Sequence, residues 1–396
     1  MALTGWDQTT AARVLAWGAL AALVYVYFLY PLLLIALERV RRPGAVVEGD
    51  ERPTVTVVVA AWNEESAIGA KIENTLGQDY PHHLLDVVVV SDSSTDRTDE
   101  IVAGYARRTG RVRLLRGEPR QGKSAALNLG IPAAGGDVIV LTDANASFRD
   151  DAVSHLVGPF ADPHVGAVSG QLLYRTPAGG PDTESVYWRY EQRVKRAESA
   201  LHALLGANGS IYAIRRHLFR PIHPRDVNDF RIPYDALLQG YAVVLEEGAV
   251  SYEDAAPGLW AEYRRKVRIM SRAVPMMLSL IVPTIARGRG LVLWQLISHK
   301  VLREIQGIFF LAALLAAGWG AARGAADLLL LLAAQGVLYL AGVLGWAVPK
   351  AAAMRPLRLA AHFDMIALAS IAALVLWATG QVRPTWEPAR PSSSGA

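Results

Sequence analysis

The sequence predicts an α/β domain with a doubly wound, largely parallel sheet, set between membrane-spanning helices. Three observations carry that expectation. Apolar residues concentrate at the two ends of the chain. Between the ends, short β-branched runs alternate with helical patterns. Polar, carboxylate-rich stretches directly follow those runs. Alternation of this kind is the mark of a sheet with helices on both faces.

The 396 residues allow two or more units of structure. Hydrophobic residues make up 52% and charged residues only 19%, against about a quarter charged in a soluble protein, so part of the chain belongs in lipid. A net charge of +4 without a basic tail gives no footing for nucleic-acid binding. The absence of cysteine excludes disulfides, thiolate metal sites and cysteine nucleophiles. Nine scattered histidines show no zinc-ligand spacing.

Ala11 to Leu37 is apolar for long enough to cross a bilayer at about 1.5 Å per residue. It is too long for a signal peptide, lacks a basic start, and is followed by Arg39, Arg41 and Arg42, so residues 1–42 read as a retained anchor. Three more runs, Ile305–Ala322, Leu328–Val348 and Phe363–Gly380, read as spans within 301–383. Arg39, Arg41 and Arg42, together with Lys350, Arg355 and Arg358, face the cytoplasm if the N-terminus is outside and the middle domain, 50–262, is inside. The expected location is therefore a bacterial-type cell membrane, with a multi-pass chain and a cytoplasmic middle domain. Residues 263–300 mix basic residues with Met, Leu and Ile, and Pro275 and Pro283 interrupt them. That stretch reads as too charged and broken to span, and as an amphipathic interfacial segment. A helix packed under the domain is the alternative. Residues 384–396 read as a disordered tail.

In the middle domain, Thr54–Ala61 is a β-branched run of the kind buried on both faces of a parallel sheet. Residues 64–76 carry Ile68, Ile72 and Leu76 at helical spacing. A strand at Leu84–Val90, a helix over 98–108, a strand at 112–116, a helix over 123–134 and a strand over 137–143 follow. Ligands of such sheets bind beyond the carboxyl ends of the strands. Asn63, Glu64 and Glu65 follow the first strand, Asp92 and Asp96 the second, Asp143 and Asn145 the fourth. Lys123 opens a helix on the same edge. Each group has an ordinary reading: Asp96 and Glu65 suit helix starts, and "TDAN" suits a turn. Their convergence on one edge, without a P-loop or a G-x-G-x-x-G fingerprint, points to a metal–diphosphate ligand over a dinucleotide.

In order along the chain run "VVVAAWNEE", "VVVSDSSTD", "GKSAALN", "LTDAN", "GANGSIYAIRR", "VNDFRIPYDALLQGYAVV" and "EYRRKVR". On these motifs the chain resembles the membrane-integrated family-2 glycosyltransferases, which carry a GT-A catalytic domain and include cellulose, chitin and hyaluronan synthase-like enzymes. The resemblance covers roughly Pro53 to Arg272. It implies that Asn63, Glu65 and Asp92 hold the donor nucleoside and that Lys123 approaches the nucleotide. It implies that Asp143 is the first carboxylate of a D-x-D that binds Mg²⁺ or Mn²⁺. Asn145 replaces the second carboxylate, keeping an oxygen ligand and losing a charge. Trp62 stands where an aromatic, commonly Tyr, is usual.

Asp229 matches the family's catalytic base, although on the residues alone it reads first as a loop aspartate capping the following helix. Inverting transfer needs one base to take the acceptor hydroxyl's proton. A glycosidase would need two paired carboxylates. Gly206 and Gly209 read as close backbone approach to the sugar, or as a turn before a strand. In "RKVRI", Arg268 matches the arginine that meets the diphosphate, Arg265 replaces a glutamine, and Ile269 replaces the tryptophan that stacks under the acceptor in processive members. Arg264, Arg265 and Lys266 read either as diphosphate contacts or as a juxtamembrane cluster.

The implied function is inverting transfer of a sugar from a nucleotide-diphosphate donor, a UDP-sugar first, to a lipid-linked, lipid or polysaccharide acceptor. A processive exopolysaccharide synthase that also secretes its product is the alternative, and a non-catalytic membrane scaffold is the reading from another class. Membrane lipids are expected partners, nucleic acid is not, and homo-oligomerisation is left open.

Overall fold

The computed structural model describes residues 7–41, 52–175, 186–254, 258–348, 350 and 354–382. Arg42, the junction near residue 256 and the expected tail at 384–396 lie outside the described residues. By contacts the chain divides into two units. One comprises Met1–Leu33, Ala256–Ile281 and Trp294–Val382, and the other Leu34–Ala255, Val282–Leu293 and Arg383–Ala396.

The helical unit opens with α1 (Gln8–Val24), continued through a wide turn at Tyr25–Leu29 into α2 (Tyr30–Arg41). Gln8–Arg41 is one of four described helices long and apolar enough to cross a membrane, with Leu259–Ala286, Ala326–Ala347 and Arg355–Ala378. The expected span near Ile305–Ala322 is the second half of a pair, Gly290–Glu304 and Gln306–Ala321, bent by 59°. Small residues make the contacts, as they do where lipid supplies no hydrophobic drive between helices. Ala12 and Ala16 pack with Ala316, Ala325 and Leu328, and a Cβ on Gly320 would collide with Leu328. Arg13 and Asp327 close this end with a 3.0 Å ion pair.

The α/β unit contains β1 (Val55–Ala61), α3 (Ile68–Leu76), β2 (Leu85–Asp92), α4 (Thr98–Thr109), β3 (Val112–Gly117), α5 (Lys123–Ala133) and β4 (Val138–Asp143). Then come β5 (Ser147–Phe148), α6 (Ala152–Val157), β6 (Val165–Arg175), α7 (Val186–Ala200), β7 (Tyr212–Arg215), α8 (Asn228–Leu238) and β8 (Ala242–Asp254). They form one mixed sheet in the order β3-β2-β1-β4-β7-β6-β8-β5. The first four strands are parallel, and β7 runs antiparallel to both β4 and β6. All seven residues of β1 are buried, which is what the unbroken "VTVVVAA" requires. The register pairs Ala61 with Ser91, Ala60 with Asp143 and Asp92 with Gly117, so these strands end on one edge. Gly130 lets α5 lie against the sheet: a Cβ there would fall 2.6 Å from Val90 Cγ2 and 2.9 Å from Val58 Cγ1.

One expectation is corrected. Pro275 and Pro283 do not interrupt their segment, because α9 (Leu259–Ala286) is a continuous helix through both. Each proline removes one ladder bond, and burial of the helix's apolar side holds the remainder: Met270 packs with Met365, Ile366 and Ala369. The helix begins shortly after β8. Its last turn returns to the α/β unit, where the Thr284 and Tyr234 hydroxyls hydrogen-bond at 2.7 Å. The short α10 (Gly290–Gln295) follows.

Candidate active site

The loops after β1 and β2 are laced to each other. Asn63 Oδ1 accepts the Thr95 amide at 2.8 Å, the Asn63 amide donates to Ser94 Oγ at 3.1 Å, and Glu65 Oε2 accepts the Arg97 amide at 3.1 Å. Asp96 returns the bond, accepting the Glu65 amide at 3.0 Å, and also accepts the Thr98 amide in the first turn of α4. Asn63 (φ 52°) and Ser93 (φ 59°) hold left-handed backbone. That conformation is costly for residues other than glycine and is found where a site must be shaped. Beside Asn63, the Trp62 ring carries the Arg120 guanidinium 3.3 Å from its centre. Asp92 is buried and accepts the backbone amides of Gln121 (2.9 Å) and Gly122 (2.8 Å). It thereby fixes the turn, with Gly122 at φ 97°, that delivers Lys123 to the first position of α5.

Lys123 Nζ lies 2.5 Å from Asp143 Oδ1, with side chains 15% and 36% exposed. A lysine at a helix N-terminus faces an unfavourable dipole, and the carboxylate at the end of β4 offsets it. Asn145 is exposed in the turn closed by the Ala146 amide on the Asp143 carbonyl. Among the described residues no cluster of three or more His, Cys, Asp or Glu side chains forms. Asp143, with the amide oxygen of Asn145, therefore offers one or two hard oxygen ligands. That set fits Mg²⁺ or Mn²⁺, which commonly take one or two protein oxygens and complete their shells with substrate phosphates and water.

Asp229 lies in the first turn of α8. The preceding loop is pinned from three sides. Asn128 exchanges two bonds with Ile222 (2.7 and 2.9 Å), Ser124 Oγ donates to the Asp226 carbonyl (2.8 Å), and the Tyr212 hydroxyl donates to Asn228 (3.1 Å). Burial pushes the Asp229 carboxyl above the usual range, Lys123 pulls it down, and the charge of Asp143 raises it further. Lys195 on α7 also lowers it and donates to Asn208 Oδ1 at 2.9 Å. Gly206 and Gly209 serve this residue directly. A Cβ on Gly209 would fall 2.9 Å from Asp229 Oδ2 and one on Gly206 3.0 Å from Phe230 Cδ2, and the Ala207 amide donates to the Asp229 carbonyl at 2.8 Å. The room that these two glycines leave is taken by Phe230 and the Asp229 carboxylate.

Asn63, Glu65, Asp92, Lys123, Asp143, Asn145 and Asp229 thus belong to one unit and one sheet edge. Arg265 and Arg268 belong to the helical unit. Arg265 pairs there with Glu262 at 2.7 Å, one turn away on α9.

Lys71 is a residue that sequence reasoning passed over. It is buried on α3 with its Nζ 3.4 Å from the centre of the Phe148 ring, and that nitrogen has no hydrogen-bond partner among the described residues. Lysine beside Ile68 and Ile72 in an amphipathic helix reads as a flank that reaches solvent, so its sequence carries no signal of burial. Burial pushes it from 10.5 down to about 7, against the pull of Asp143 and Glu253.

Residues 56–221 match the family described as Glycosyl transferase family 2. Among curated proteins, a beta-monoglucosyldiacylglycerol synthase of Nostoc sp. is 32% identical over 166 residues, 41% of this chain and 35% of the relative. A poly-beta-1,6-N-acetyl-D-glucosamine synthase of Staphylococcus epidermidis is 23% identical over 241 residues, 58% of this chain and 57% of the relative. The chain spans about a third of the length of the monoglucosyldiacylglycerol synthases it matches, 35% in the Nostoc and Trichormus proteins. Among solved structures, a mannosyltransferase from Pyrobaculum calidifontis in complex with GDP-Man and Mn²⁺ is similar over 94% of this chain and 99% of its own, with TM-score 0.70 and 25% identity.

Because the folded-state pKa of Lys71 is depressed, the unfolded chain holds more protons between the two values, so stability rises with pH across that window and falls again toward pH 7. Thermal unfolding of detergent-solubilised protein at the two ends of the window should record this rise, and Lys71→Met should flatten it while raising the melting temperature at the neutral end. Gly209→Ala should displace the Asp229 carboxylate, and if Asp229 is the base proposed below, a shift of about 1 Å should cost on the order of 100-fold in rate. Affinity for a nucleoside-diphosphate sugar, measured by calorimetry, should stay within about threefold, since the loops after β1 and β2 do not contact Gly209. These expectations attach to a domain whose family the match fixes: residues 56–221 are a family-2 glycosyltransferase domain, carried on the GT-A fold.

Proposed function

We propose that the chain transfers one sugar, with inversion, from a nucleoside-diphosphate donor to a lipid or lipid-linked acceptor at the cytoplasmic membrane face. The observation that carries this reading is the electrostatic cluster of Lys123, Asp143 and Asp229 at the carboxyl edge of a family-2 domain. The acceptor hydroxyl attacks the anomeric carbon from the face opposite the diphosphate. Its proton passes to the Asp229 carboxylate as the new C–O bond forms, and the old bond breaks with its electron pair left on the diphosphate oxygen. Burial raises Asp229 toward a better proton acceptor than a solvated carboxylate. Lys123 is positioned to offset charge on the phosphates. Asn63, Glu65 and Asp92 hold the nucleoside-side loops in register, and Asp143 with Asn145 would hold the divalent ion. That ion, when bound, supplies Lewis-acid stabilisation of the departing diphosphate.

The donor is proposed as a UDP- or GDP-sugar: the resemblance favours UDP, and the Pyrobaculum protein was solved with GDP-Man. A lipid acceptor is favoured by Ile269, which gives no aromatic face for a saccharide, and by the diacylglycerol named for the Nostoc relative.

The basic residues at Arg39 and Arg41 and those at Lys350, Arg355 and Arg358 share a side of the membrane only if an even number of crossings separates them. Ala326–Ala347 is one crossing. Of α9 and the bent pair Gly290–Ala321, therefore, one crosses and the other does not. The first half of α9 carries Arg264, Arg265, Lys266, Arg268 and Arg272, a basic amphipathic composition that suits a helix lying at the interface. We therefore assign α9 to the interface and the bent pair to the second span.

In proteoliposomes, Asp229→Asn should lower transfer by at least about 1,000-fold, within the range lost with a general base, while donor binding in Mn²⁺ stays intact. Loss of donor binding would instead mark Asp229 as structural, and failure to turn over any UDP- or GDP-sugar would remove the transferase reading. Because the chain has no cysteine, single cysteines report topology without background. Arg287→Cys should resist a membrane-impermeant maleimide added to intact cells, and Arg323→Cys should react. External labelling of Arg287→Cys would reverse the assignment of α9.

A further inference from the structure

A cavity of about 520 Å³ in the α/β unit is lined by Arg41, His202, Tyr241 and Arg289, together with apolar side chains that include Leu201 and Leu291. Its volume falls within the roughly 300–1,000 Å³ of small-ligand sites. Its lining holds two guanidiniums and no carboxylate. Neither Arg41 nor Arg289 makes an ion pair or side-chain hydrogen bond among the described residues, whereas Arg193, Arg196 and Arg231 of the same unit each pair with an acid. Two guanidiniums without an acid partner among the described residues, lining one open cavity, offer a pair of fork-shaped donors to an anion.

The backbone is shaped to keep that convergence. Gly240 adopts φ +101°, backbone that favours glycine, and the Arg289 guanidinium lies against it, 2.7 Å from where a Cβ would stand. His202 holds left-handed backbone at φ +58°, a strain of the sort found at binding sites. Two of its residues also adjoin helices long and apolar enough to cross a membrane. Arg41 is the final residue of the first apolar helix, and Arg289 lies in the turn just after α9. The wall thus combines fork-shaped cations suited to a phosphate with apolar side chains suited to what the phosphate is attached to.

We propose that this cavity binds a phosphate ester, supplied as the headgroup of an anionic membrane lipid. The site is separate from the Asp143 edge, and the proposal does not depend on the transferase reading. Bidentate arginine contacts give a phosphate geometry as well as charge, so lysine in their place is a poor substitute.

The test is native mass spectrometry of the full chain in detergent, titrated with phosphatidylglycerol, with phosphatidylcholine and with glycerol 1-phosphate. Wild type should retain one phosphatidylglycerol per chain in preference to phosphatidylcholine. Arg41→Gln with Arg289→Gln should lose at least about tenfold in that affinity, a modest loss for two charge-assisted contacts. Leu291→Trp, which fills the cavity without changing charge, should lose a similar amount, and a diffuse juxtamembrane charge effect would ignore it. Melting temperature confirms that each variant is folded. Glycerol 1-phosphate binding as tightly as the lipid would overturn the lipid assignment in favour of a soluble phosphate ester. Equal retention of phosphatidylglycerol by wild type and all variants, or preference for phosphatidylcholine, would overturn the proposal.

Discussion

The parallel pairing of β1 with β2 on one side and β4 on the other governs the site. These strands are buried on both faces, so they admit almost no polar side chain along their length, and polarity is displaced to their ends. In-register parallel strands end together. Asn63, Asp92 and Asp143 are therefore brought to one edge by backbone geometry before any side chain interacts with another. The side chains then refine the edge. Asp92 commits its carboxylate to two backbone amides, and what it fixes is the entry of α5 and with it the position of Lys123.

The Lys123–Asp143 pair and Asp229 form a second level of organisation. A buried carboxylate is normally neutralised by its surroundings. In this site Lys123 and Lys195 hold Asp229 down while burial and Asp143 drive it up, and these opposed influences keep a carboxyl poised in a low-dielectric setting. Gly206 and Gly209 are part of this arrangement, since the room they leave is taken by Phe230 and the Asp229 carboxylate. Burial lowers the pKa of Lys71, which has no hydrogen-bond partner among the described residues, and the charges of Asp143 and Glu253 offset this only in part.

Much of this is legible in the sequence because the signals are local. β-branched runs bounded by polar turns mark the four parallel strands and their intervening helices, and the motif order marks the family and the edge. What escapes is set by tertiary contact. Lys71 is flanked by the apolar residues of an ordinary amphipathic helix, and nothing in that pattern distinguishes a lysine reaching solvent from one capped by Phe148. Gly209 announces a missing Cβ without saying which neighbour takes the space. The two prolines of α9 suggest a break because propensity penalises them, yet burial of Met270 and its neighbours outweighs two lost hydrogen bonds. The β6–β8 half of the sheet has no comparable signature, since the antiparallel insertion of β7 depends on pairings far apart in sequence.

If Asp229 and the Asp143 edge act together in a single displacement at the anomeric carbon, the product must be inverted there. The direct measurement is the anomeric configuration of that product, read by NMR from the one-bond and vicinal couplings of the transferred sugar when an α-linked UDP- or GDP-sugar is supplied. Single displacement predicts a β-linked product from wild type. An α-linked product would require two displacements or a front-face mechanism, and would contradict Asp229 as the base of one inverting step.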